Sequence, residues 1–341
     1  MARVTLSINT KFLYDLRSSH DIGIYWGPRE TPTQNQAAFN NNDANVLCFF
    51  DAPFQGVHPQ YGVQSLATTC QWLYHVSNFI FGVQGTLRID DGTPDGAIVF
   101  NNTQLTAGDY LFLPNDQTQR TVYLMRWFST VRTRTPRLNQ PSIARRTIFT
   151  AHVQLRDGQC CKISGLNRHA GYENTCSHLI PKRLGPSAVD NIIHRYTGAV
   201  TNWGHDRPEW DCRVGVMLHG ALDHFLDSFT MGFYNPNPGT MQYEVHDLNF
   251  AIRANEQDPT AGLKGWTRLA LRWDTIVHSQ LPFGANDVVR LNLHHSTVNF
   301  PAQGAPVMPD PPFEVLGWHY VQCVMRKWST AAYMNYPNIR W

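Results

Sequence analysis

The sequence predicts an α+β protein in which a β-rich N-terminal half precedes a half of mixed helix and strand. Three observations carry that prediction. β-prone runs fill residues 82 to 128, and apolar residues recur at helical spacing within 144 to 155 and 315 to 324. The chain is also 42% apolar, 12% aromatic and only 16% charged, a composition that folds. With 341 residues it can bury one large core or two medium ones.

The elements follow in order. Gly82 to Asp90 and Ala97 to Phe100 read as strands, and the turn-rich Asp91-Gly-Thr-Pro-Asp-Gly96 between them suits a hairpin. Leu105 to Pro114 reads as a turn feeding a further strand, and Thr121 to Phe128 as another. Residues 1–131 are therefore expected to form a β-rich domain. Residues 132–146 carry Arg132, Arg134, Arg137, Arg145 and Arg146, broken by Pro136 and Pro141. They are expected to be a linker, either solvated or a phosphate-contacting arm. Residues 147–341 form the second expected domain. At its start Ala144, Ile148, Ala151 and Leu155 share one helical face, so a helix should carry the chain into Arg156-Asp-Gly158. Near its end Val315, Leu316, His319, Tyr320, Cys323 and Val324 share a face of a closing helix packed on the core.

Charge and cysteine content narrow the function. A net charge of +2 is too small for a protein that holds nucleic acid by overall charge, so any phosphate contact must come from a local patch. Seven irregularly spaced cysteines with no CxxC pair suggest free thiols in a reducing compartment and argue against a four-cysteine zinc knuckle. Neither a secretory signal core nor a run of 18 apolar residues is present, so an intracellular protein with no membrane partner is expected.

The segments with chemistry lie in the second half. Arg156-Asp-Gly-Gln-Cys-Cys-Lys-Ile-Ser-Gly165 places a tight turn before a β-prone run, and Cys176-Ser-His-Leu-Ile-Pro181 ends a second run on His178. Val214-Gly-Val-Met-Leu-His-Gly-Ala-Leu-Asp-His-Phe-Leu-Asp227 continues, after an interval, into Phe233. A histidine titrates near neutrality, so His178 can serve as a general base or be hydrogen-bonded inside the fold. Cys161, Cys176 and Cys212 read as buried thiols or, with His178, as zinc ligands. His294 and His295 are adjacent, and in a strand they would face opposite ways.

Together these segments resemble the HNH nuclease motif of the ββα-metal finger, registered without gaps on Gly215, Asp227 and Phe233. The resemblance runs on through Met308-Pro-Asp-Pro311 and Trp318-His-Tyr-Val-Gln-Cys-Val-Met325, which are similar to the C-terminal segment of fungal HNH-domain proteins, and covers roughly residues 143 to 330. It implies an HNH-like ββα finger embedded in a mixed α/β domain, with Cys161 to Gly165 as a strand and His178 as the base of a metal-dependent phosphodiesterase. Asp223, with His224 beside it, would hold a divalent ion, Mg²⁺ or Mn²⁺ first and Zn²⁺ or Ni²⁺ otherwise. Arg156, Lys182 and Arg183 would lie near phosphate, and DNA or RNA would be the partner. The chain departs from the pattern twice: Val214 stands where the family places Asn, and Asp223 where it places a metal-binding His. Valine cannot ligate or orient, whereas aspartate can still bind a hard cation through oxygen. A silent HNH-like fold that binds nucleic acid or a protein, or an enzyme turned to a small molecule, is therefore carried beside the nuclease.

Overall fold

The computed structural model describes residues 3–8, 46–51, 69–81, 84–89, 105, 108–115, 143–165, 174–197, 203, 207–248, 297–300 and 308–330. The chain divides into two compact units. Residues 1–128, 251–257 and 324–341 form the first, and residues 129–250 and 258–323 the second. Both helices and small sheets are present, so the fold is mixed α+β.

In the first unit, β1 (Arg3–Ile8), β2 (Val46–Asp51), α1 (Cys70–Phe81), β3 (Gly85–Ile89) and β4 (Gly108–Pro114) follow in order. β1 pairs antiparallel with β2 and parallel with β4, and β3 pairs antiparallel with β4. Ser329–Thr330 adds two residues against β2. The strands expected from Gly82 to Asp90 and in Leu105 to Pro114 are thus formed, but they pair with each other. Ala97 to Phe100, Thr121 to Phe128 and the arginines at 132, 134 and 137 lie outside the described residues. Helix α1 answers to no sequence expectation above. Its residues Trp72, Leu73, Val76 and Ile80 are buried, spaced three and four apart as a core-facing helix requires. Asn78 accepts the Gly85 N–H at 2.9 Å, tying the helix to the start of β3.

The second unit opens with α2 (Ile143–Arg156), so residues 143 to 146 are its first turn and not linker. The helix was foreseen, but its inward face was not. Ile148 and Leu155 are more than half exposed, whereas Phe149, Val153 and Arg156 are buried. Those three recur at four- and three-residue spacing, and their face covers the strands below. Then come β5 (Asn174–His178), α3 (Pro186–Thr197), β6 (Gly215–His219), α4 (Gly220–Asp227), β7 (Met231–Tyr234), β8 (Gln242–Asp247), β9 (Thr297–Asn299) and α5 (Phe313–Trp328). β5 and β6 form an antiparallel pair with His178 opposite Gly215, and β6 runs directly into α4. β7, β8 and β9 form a separate antiparallel sheet. The closing helix α5, whose residues from Val324 on belong to the first unit, is buried from Val315 through Val324.

Cys161 to Gly165 is not a strand. The chain turns through Gly158 and Gln159, both at positive φ, and turns again as the Gly165 N–H meets the Cys161 carbonyl at 2.8 Å. Between the turns, Lys162 N–H reaches the Met217 carbonyl at 2.9 Å. Two closely spaced turns leave no length for a ladder.

Candidate functional site

The Arg156-Asp157-Gly158 segment works as a clasp. Arg156 ends α2, and its guanidinium holds both carboxylate oxygens of Asp157 at 2.8 and 2.9 Å. The same guanidinium donates to the carbonyls of Cys212 at 2.6 Å and Gly215 at 2.7 Å. Asp157 in turn accepts the Met217 N–H at 2.8 Å. Both side chains are almost wholly buried. Arg156, expected near phosphate, is committed instead to stitching the end of α2 onto β6 and the turn before it. Planar, bidentate pairing is what arginine does best when desolvated.

Beside this clasp lies a cleft of about 360 Å³ lined by Arg146, Gln154, Asn174, Cys176, His178, Lys182 and Trp210, among others. Strand alternation brings Asn174, Cys176 and His178 to one face of β5. The opposing Gly215 lets Phe149 come close, since a Cβ there would lie 2.5 Å from the Phe149 ring. The His178 imidazole stacks on Phe149 at 4.3 Å and meets Trp210 edge-on at 5.3 Å. Lys182 leans over the Trp210 ring, 5.6 Å from its centre.

The backbone of Glu209 lies beside His178 and favours its charged form. Nε2 has no hydrogen-bond partner among the described residues. The residue retains some accessible surface, but Nε2 itself is closed to solvent. Burial, followed by the positive charges of Lys182 and Arg146, pulls its pKa down to about 3. The ring is neutral at any physiological pH.

The other expected site residues are scattered. Lys182 is exposed on a 3₁₀ turn at Lys182–Leu184 that also holds Arg183, whose side chain lies outside the described residues. Asp223 is half-buried in the first turn of α4, where a carboxylate favours the helix dipole, and His224 is exposed. Neither lines the cleft. Val214, at the motif's asparagine position, is fully buried, and its carbonyl accepts the Leu179 N–H at 2.8 Å. Among the described residues, no three His, Cys, Asp or Glu side chains come close enough to share an ion. Asp223 and His224 are not brought to the cleft that holds His178, and Cys161, Cys176 and Cys212 are not in such a group. Those three cysteines are thiols and not disulfides, and Cys212 is pushed up to about 11 by burial. His294 and His295 lie outside the described residues. Among the described residues no helix is long and apolar enough to cross a membrane.

Sequence reasoning missed Arg146 and Trp210 as parts of the site. Arg146 is expected only as one of five arginines in a solvated linker or phosphate-contacting arm, and a sharper signal exists: it lies three residues before Phe149 on the same helix, hence on the same side. Compared with known protein families, curated proteins and solved structures, the chain matches none.

Proposed function

We propose that this chain is an HNH-like phosphodiesterase acting on DNA or RNA, with His178 as general base. One observation carries the reading: a largely buried, neutral histidine lines a cleft that also holds two cations. Arg146 and Lys182 bind the phosphate, and the His178 ring, once turned so that a nitrogen meets the cleft, accepts the proton of the attacking water. At a pKa near 3 the imidazole is a weak base. An anionic phosphate bound beside it offsets the two cations, the smaller part of the shift, while burial, the larger part, stays. The order β5, β6, α4, with His178 at the end of the first strand, supports the resemblance of the motif.

The motif also implies a divalent ion, whose chemistry would be to stabilise charge developing on the phosphate. Of its positions here, Asp223 offers oxygen and Val214 offers nothing, so the steps above rest on the chain's own residues. A second reading, a silent fold that binds nucleic acid or a protein, is favoured by the burial of Val214 and the closure of Nε2. Incubating the full chain with plasmid and RNA, with and without Mg²⁺, Mn²⁺, Ni²⁺ or Zn²⁺, separates the two. Cleavage that drops about 10²- to 10⁴-fold in His178→Gln supports the base. Equal cleavage by wild type and variant, or salt-sensitive binding with no cleavage, sinks it.

A further inference from the structure

We propose that the His178 cleft takes a single nucleotide by a terminal phosphate: a nucleoside monophosphate, or the phosphate-bearing end of a single strand. The proposal rests on the same site as the phosphodiesterase reading, and it replaces an internal duplex phosphate with a phosphomonoester as the group recognised.

Size argues first. A cleft of about 360 Å³ lies at the lower end of the range for small-molecule sites, roughly 300–1,000 Å³. It accommodates one nucleotide, whereas a paired base reaches such a concavity only after leaving the stack. Charge argues next. The net charge of the whole chain is only +2, yet Arg146 and Lys182 both line this one cleft. A phosphomonoester carries about −1.5 to −2 near neutrality. An internal phosphodiester carries a single negative charge, so the monoester is the better match for two cations. Polar lining completes the case. Gln154 also lines the cleft, with an amide of the kind that pairs with base edges.

Calorimetric titration of the full chain tests this with AMP, inorganic phosphate, short single strands with and without a terminal phosphate, and closed circular duplex DNA. The expected result is that AMP and a terminally phosphorylated strand bind at least about tenfold tighter than the unphosphorylated strand. Inorganic phosphate should displace AMP but bind more weakly, and circular duplex should not displace it. Arg146→Gln and Lys182→Gln should each weaken AMP about tenfold. Equal binding of phosphorylated and unphosphorylated strands, or no AMP binding by the wild type, overturns the proposal. Inorganic phosphate binding as tightly as AMP also overturns it, because the site would then recognise phosphate alone. The two readings fail separately. AMP binding without cleavage of any substrate leaves this inference standing and removes the nuclease. Cleavage of circular duplex that AMP does not inhibit does the reverse.

Discussion

The Arg156–Asp157 clasp and the His178 cleft meet at the same residue of β6, yet they handle buried polarity in opposite ways. Arg156 donates to the Gly215 carbonyl and His178 sits across the ladder from Gly215. In the clasp, guanidinium, carboxylate, two carbonyls and a backbone N–H all find partners at 2.6 to 2.9 Å. In the cleft, an imidazole nitrogen as deeply enclosed is left bare. A saturated network is how a fold locks its parts together, whereas a buried acceptor without a donor costs stability that packing alone does not return. The clasp is thus saturated and the cleft is not, although both belong to one sequence motif.

The largest effect should come from breaking the clasp. Asp157→Ala strands a buried guanidinium and frees the Met217 N–H, so about 3–5 kcal/mol of stability should be lost. Denaturant unfolding of the second unit reads this directly. The double variant Arg156→Met, Asp157→Leu should recover much of the loss, because it removes both charges together. A single variant costing under about 1 kcal/mol would mean that water reaches the pair, and the contrast with His178 would collapse.

Gly215→Ala attacks the shared residue. The new Cβ would meet the Phe149 ring at 2.5 Å and Val153 at 2.9 Å, so the ring must move. Overpacking of this kind costs about 1–3 kcal/mol. The stacked His178 ring moves with Phe149, so its NMR resonances should shift as stability falls. Phe149→Leu in the same chain should restore part of the stability. No recovery would show that the strand, and not the ring, takes up the strain.

The motif's glycine was visible in the sequence, but its reason was not. Gly215 marks where an aromatic side chain from a helix 66 positions earlier needs room, and no local pattern reports that. The sequence did place His178 at a strand end and the closing helix on the core, because period and termination are local properties. It misjudged Arg156, since a cation before a turn reads as solvent-facing until its partners across the chain are known. It also misjudged α2, where Ile148 and Leu155 satisfied the apolar spacing while Phe149 and Val153 faced inward. Four apolar residues of comparable periodicity competed for one helix, and the hairpin below decided between them.

The smallest expected effect sharpens the contrast by pH. His178 and His319 in the second unit have pKa values lowered to about 3 and about 4, each chiefly by burial. Unfolded, both titrate near 6.5. Below that pH the unfolded chain takes up protons that the folded unit refuses, so stability falls as the solution is acidified from about pH 6.5 toward 4. Above pH 6.5 neither state binds the proton and the contribution vanishes. His178→Gln should flatten the acid slope, with a gain relative to wild type of about 1 kcal/mol or less at pH 6 that grows toward pH 4.5. Arg156 and Asp157 are paired and buried, and the charge-neutral double variant should leave that slope in place. A His178→Gln slope identical to wild type would mean that the folded ring accepts a proton as readily as in water. Its lone pair would then be open to solvent, and the distinction between a satisfied clasp and an enclosed, bare acceptor would fail at the residue on which the proposed chemistry depends.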